Sequence, residues 1–135
     1  MSRGVIDQAV SYIADSAAGT TYSKTQSSIN LTAGNVVNAT YVDLPAGVFA
    51  IHARMTFGST SASSSWTEIS IGTSSSAYTE SAIRIYQQSS YWNHIATSYT
   101  VNLTQATRIY VKGGCSIARN GCTANIYAIK LWGTT

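Results

Sequence analysis

From Val48 to Phe57 apolar and polar side chains alternate almost without a break. Phe49, Ile51, Ala53, Met55 and Phe57 fall on one side, and Val48, Ala50, His52, Arg54 and Thr56 on the other. A repeat of two is the signature of an extended strand, whose successive side chains point to opposite faces of the pleat. The same ten residues wound as a helix would scatter those five apolar groups around the axis. A strand with one apolar face has to lay it against a second layer, so this segment constrains the chain to sheet packed on sheet.

Shorter runs of the same kind fill the sequence from about residue 27 onward. Ser28–Thr32 and Val36–Leu44 read as strands divided by Ala33-Gly34-Asn35, and Pro45-Ala46-Gly47 turns the chain into Val48. Gly58–Ser65 is loop by composition. Trp66–Ile71 and Ser81–Tyr86 read as a strand pair with a self-consistent register. Ile69 opposite Ile83 places Thr67 opposite Ile85 on one face, and Glu68 opposite Arg84 with Trp66 opposite Tyr86 on the other. Trp92–Leu103 alternates again, with Ile95, Thr97, Tyr99, Val101 and Leu103 on one side. Thr104–Ala106 turns into a strand over Thr107–Lys112, which Gly113-Gly114 is expected to interrupt. Asn120-Gly121 is a hairpin signal, and Thr123–Trp132 reads as the last strand, apolar on both faces. About eight short strands with Gly- and Ser-rich turns favour an all-β, antiparallel sandwich or barrel.

The first twenty residues differ. Ile6, Val10, Ile13 and Ala17 step by four, three and four, a one-sided stripe too short to hold as a free helix in water. Residues 1–22 are therefore expected to be a short amphipathic helix or an extended arm that docks through Ile6, Val10 and Ile13, and residues 23–135 the sandwich.

Charge narrows the function. Charged residues make up 10 % of the chain, against about 25 % in an average domain, so hydroxyls and amides must supply the soluble surface. The eight basic residues and the net charge of +3 are spread out. That reads as a mildly basic surface, whereas nucleic-acid binding needs a stripe of Lys and Arg. No run reaches the ~18 apolar residues of a membrane span, and Asp7 stands where a signal peptide would be apolar, so the chain is expected to be soluble and made in a cytoplasm. His52 and His94 are the only histidines, and the carboxylates are Asp7, Asp15, Asp43, Glu68 and Glu80. No zinc spacing, Gly-x-Ser-x-Gly elbow or phosphate loop occurs. The expectation is a protein without enzymatic activity, metal or cofactor, in which Glu68 and Arg84 form a structural ion pair.

The aromatics carry more information, with nine Tyr against two Phe. Trp66, Tyr86, Trp92, Tyr110, Tyr127 and Trp132 are candidates for an oligomer interface or for contact with a glycan, since rings among hydroxyls suit both. The two cysteines, Cys115 and Cys122, lack zinc-ligand spacing. A two-residue turn at Asn120-Gly121 would set them about four residues apart along the ladder, ~13 Å, whereas a disulfide needs Cα atoms within roughly 7 Å. Turn and disulfide are alternatives unless Gly113-Gly114 bulges the strand, and free thiols are expected.

In its segments LPAGVFAIHARMTF, TSYTVNLTQATRIYVKGG and NIYAIKLW the chain resembles the tumour-necrosis-factor-like and complement-globular-head jelly rolls. The resemblance covers roughly residues 28–132. A turn with Pro and Gly feeds a long strand of alternating aromatics, a late strand pair follows, and a C-terminal strand closes the fold; Ala128 stands where the family often has Gly. The resemblance implies a jelly-roll-like sandwich that forms a homotrimer. Similar domains occur in bacteriophages as decoration proteins, head fibres and tail-fibre tips. It therefore implies a virion protein assembled in the host cytoplasm. No repetitive shaft accompanies the domain, which favours a capsid decoration (cement) protein whose partners are itself and the major capsid protein or another virion protein. The alternative is a tail-fibre or receptor-binding tip recognising host-surface glycan. Neither involves nucleic acid or membrane as a partner.

Overall fold

A computed structural model describes residues 17–61, 64–73, 82–88 and 91–132. Eight strands follow one another: β1 (Thr21–Leu31), β2 (Val37–Leu44), β3 (Gly47–Phe57), β4 (Ser65–Gly72), β5 (Ile83–Gln87), β6 (Asn93–Leu103), β7 (Thr107–Cys115) and β8 (Arg119–Trp132). They form two four-stranded antiparallel sheets, ordered β1-β8-β3-β6 and β2-β7-β4-β5. Only β4 and β5 are consecutive neighbours in one sheet; every other connection crosses from sheet to sheet. This is the winding of a jelly roll. The described residues contain no helix, and the segment with Ile6, Val10 and Ile13 lies outside them.

Alternation explains the core. Phe49, Ile51, Ala53, Met55 and Phe57 of β3 are all buried against Ile69 and Ile71 of β4 and Ile109 and Val111 of β7. The register of β4 with β5 is the one the side chains favour, with Ile69 opposite Ile83 and Glu68 opposite Arg84. β8 resolves its two apolar faces: Ala124, Ile126 and Ala128 enter the core, while Tyr127 and Ile129 point out. Trp132 does not share the buried face of Ile126, because the pairing with β3 slips between Val48 and Phe49 and leaves Trp132 exposed at the strand end.

Several expectations from sequence need correcting. Gly113-Gly114 does not interrupt β7, which continues to Cys115. A Cβ on Gly113 would collide with the Met55 thioether of the facing sheet, so this glycine permits close approach of the two layers rather than a break. Asn120-Gly121 does not make a hairpin. β7 and β8 belong to different sheets, residues 116–118 carry the crossover, and β8 runs through Gly121 (φ 69°) as an irregularity opposite Ile29 and Leu31 of β1. The sheet starts earlier than the alternation indicates. Gly19 donates its N–H to the Lys130 carbonyl at 2.7 Å, Lys130 returns one to Thr20 at 2.9 Å, and β1 includes Thr21 and Tyr22. Nor are all the basic residues on the surface: Lys112, Arg119 and Lys130 are buried.

The cysteines are free and both fully buried. Burial pushes both thiols above their ordinary range, so at neutral pH they are protonated and slow to react. Iodoacetamide should leave the folded protein unmodified and add two groups in denaturant without reductant. A denatured protein that takes no label would require a disulfide.

Candidate functional site

The six aromatic candidates do not form one site. Trp66, Tyr86 and Tyr110 lie on the outer face of the β2-β7-β4-β5 sheet, but in two clusters. At one end, Arg84 covers the Trp66 ring with its Cζ 3.8 Å from the centroid and gives its Nη2 to Glu68 Oε2 at 2.8 Å. Tyr86 is opposite Trp66 and 72 % exposed. At the other end, Tyr110 leans on Tyr41, their centroids 6.2 Å apart. Trp92 is exposed just before β6, Tyr127 stands on the outer face of the opposite sheet, and Trp132 ends β8.

The residue that organises the Trp92 end is one that sequence alone reads as ordinary surface charge. Arg119 opens β8 and is fully buried. Its Nη1 donates to the carbonyls of Gly58 at 2.7 Å and Tyr91 at 3.3 Å, and its Nη2 to Ser65 Oγ at 2.8 Å and Gln87 Oε1 at 3.4 Å. The guanidinium fork thus joins the exit of β3, the start of β4, the end of β5 and the loop before β6. No carboxylate faces it among the described residues, and burial lowers its pKa from the usual arginine value. Its surroundings are neutral oxygens and two buried thiols, which fits a structural clasp.

The outer face of the β1-β8-β3-β6 sheet carries a shallow depression of about 710 Å³. Ser23 of β1, Tyr127 of β8, His52 and Arg54 of β3 and Ala96 of β6 form its floor, and Ile83 reaches it from the free edge of β5. Tyr127 is 42 % exposed, and Ile83 and Ile85 are 37 % and 38 % exposed. Ile83 and Ile85 point to the core side of their sheet, but β5 is its last strand, so they overhang the open side of the sandwich. Here an apolar edge and a concave sheet face are displayed by one chain.

Among the described residues no group of three or more His, Cys, Asp and Glu could hold a metal ion. His94 shares a hydrogen bond with Thr56 Oγ1 at 3.0 Å, and His52 sits between Ser98 and Tyr127 on the sheet face, so the histidines do not converge.

No family model and no curated protein matches the sequence. Solved structures do match the fold. The globular domain of zebrafish complement 1qA superposes with a TM-score of 0.57 at 7 % identity, covering 86 % of this chain and 99 % of that one. The chain thus shares a jelly-roll fold with that domain. A chain from the acid-stable capsid of Helicobacter pylori bacteriophage KHP30 matches with a TM-score of 0.53 at 14 % identity, over 86 % of this chain and 91 % of that one. The PRD1 vertex protein P5 matches with 0.52 at 12 % identity, over 84 % and 98 %.

Proposed function

We propose that the chain is a non-enzymatic structural protein of a bacteriophage virion, a homotrimeric decoration protein held to the capsid shell by its N-terminal segment. The observation that carries this reading is the likeness of its single sandwich to nearly the whole of a phage capsid chain and of a vertex protein. A surface of hydroxyls and amides with charged residues at 10 % agrees with it.

The trimer has physical support in the two complementary surfaces just described. The Ile85 part of the β5 edge and the sheet face carrying Tyr127 are different surfaces, and a head-to-tail contact between different surfaces closes into a ring when the rotation allows. Three copies is the number the complement-head resemblance implies. The edge and the face then lie in the interface, and the outer face of the other sheet, with Trp66 and Tyr86, looks outward.

Anchoring is assigned to the stripe Ile6, Val10 and Ile13. A chain lacking residues 1–16 keeps β1 and the turn at Ala17, whose carbonyl accepts from Thr20 N at 3.3 Å. It should unfold at the temperature of the full chain yet fail to sediment with purified shells of the phage that encodes it. Full-length protein should bind those shells and raise their resistance to heat. Undiminished binding by the shortened chain removes the anchor, and no binding by the full chain removes the decoration role.

A further inference from the structure

On the side of the sandwich away from β5 and β6, the edge strands β1 and β2 leave a polar groove of about 590 Å³, continuous at Lys24 and Tyr41 with a smaller one of about 370 Å³. This size is ordinary for a small-molecule site. Its walls depart from regular sheet on both sides. The β1–β8 register shifts between Gln26 and Ile29 and again before Leu31, and the β2–β7 register shifts between Asn38 and Thr40. Ser28, inside the first irregularity, has φ 58°, the only non-glycine residue with positive φ among those described. Such strain costs free energy and persists where the surrounding structure enforces it, commonly at sites that bind.

The chemistry of the walls is specific. Lys24 Nζ lies 3.8 Å from the centroid of the Tyr41 ring, and Arg108 Cζ lies 4.0 Å from the same centroid. Asp43 takes Arg108 in a forked pair, 2.7 Å to Nε and 3.1 Å to Nη2. Arg108 and, secondarily, Lys24 hold its carboxyl below the usual range. Arg108 is thereby neutralised, while Lys24 has no ion pair among the described residues, so the groove carries one positive charge in excess. Thr40 closes the bottom of the groove, 5 % exposed, with its Oγ1 shut off from solvent. Asn38 adds an amide and Tyr110 a second ring.

We propose that this groove binds an acidic saccharide, with Lys24 meeting its anionic group, the Tyr110 ring packing against its C–H face, and the Asn38 amide meeting its hydroxyls. An inorganic anion would use the cation and leave the Tyr110 ring and the amide idle; a neutral sugar would leave the excess charge unmet. The site is independent of trimer formation. β1 turns Ser23 and Thr25 to the outer sheet face and Lys24 and Gln26 to the groove, so covering that face leaves the groove open.

Full-length protein on an array of uronate-, sialate- and phosphate-bearing oligosaccharides with their neutral counterparts should retain one acidic class and none of the neutral ones. In solution, Lys24→Gln and Tyr110→Ala should each weaken binding of the retained sugar by about tenfold or more, with unchanged circular dichroism. Trp92→Ala, remote from the groove, should bind as the parent does. Competition by inorganic phosphate or polyglutamate at equal charge concentration would reduce the groove to a general anion site and overturn the proposal. So would an array with no acidic sugar retained, or loss of binding in Trp92→Ala but not in Lys24→Gln.

Discussion

Arg119→Met should lower the stability of the fold by about 3 kcal/mol, which for a domain of this size is roughly 10 °C in Tm. Methionine fills much of the same volume, so the loss does not come from a cavity. It comes from oxygens left behind in a dry site. The Gly58 carbonyl, at 2.7 Å, and Ser65 Oγ, at 2.8 Å, make the two short contacts with the guanidinium, and the Tyr91 carbonyl and Gln87 Oε1 the longer ones. A buried acceptor stripped of its donor costs about 1–3 kcal/mol, and removing the cation recovers part of this by ending its own desolvation. Arg119→Lys should fall between the two, because an ammonium cannot span four acceptors held in a fork. The Arg84–Glu68 pair provides the contrast: the Arg84 side chain is 38 % exposed, so water can replace it and Arg84→Gln should cost less than Arg119→Met. Equal, small losses in Arg119→Met and Arg84→Gln would mean that water replaces the guanidinium and that Arg119 is no clasp. A second route to the same joint runs through Gly58, where a Cβ would strike the Asn120 carbonyl. That atom belongs to backbone and cannot swing away, so Gly58→Ala should be at least as damaging as Arg119→Met.

The joint at Arg119 also shows where sequence runs out. A strand announces itself through side chains two apart, so β3 and β6 are legible from their own patterns, and the β4–β5 pair also because its two strands are neighbours in sequence. Arg119 meets Gly58, Ser65, Gln87 and Tyr91, positions brought together only by the crossovers of the fold. Nothing near Arg119 in sequence distinguishes it from a surface arginine. The same holds for the β1–β2 groove. Asp43 and Arg108 are paired because β2 lies beside β7, and Lys24 reaches Tyr41 because β1 and β2 end their respective sheets on one side. The glycine signals failed for a related reason. Gly113 and Gly121 have the composition of a break and a turn, but in a two-layer fold glycine also serves close approach between layers and bulges within a strand. Local sequence does not say which. Of the six aromatics, sequence chose residues that are mostly exposed, yet it had no means of sorting them onto opposite sheets.

The oligomer should respond to charge placed on either of its two surfaces. The full chain is expected to have three times the mass of the 14.3 kDa protomer in light scattering. Tyr127→Asp puts a carboxylate in the centre of the outer sheet face, and Ile85→Lys puts an ammonium on the β5 edge. Each change leaves the core intact, because both side chains are already more than a third exposed. Desolvating an unpaired charge in a contact costs several kcal/mol, and a ring of three repeats that cost at every contact, so both variants should be monomers at micromolar concentration. Mixing them then distinguishes a head-to-tail ring from a face-to-face dimer. The Tyr127→Asp chain keeps a sound edge and the Ile85→Lys chain a sound face, so one normal contact can form between them. The contact that joins the two altered surfaces also brings opposite charges together. A head-to-tail arrangement therefore predicts that two monomeric variants associate on mixing, since edge and face are different surfaces that meet. If face met face, edge substitutions would be silent, and Ile85→Lys would retain the parental mass. A monomeric parent, or an Ile85→Lys chain as large as the parent, rejects the edge-on-face trimer.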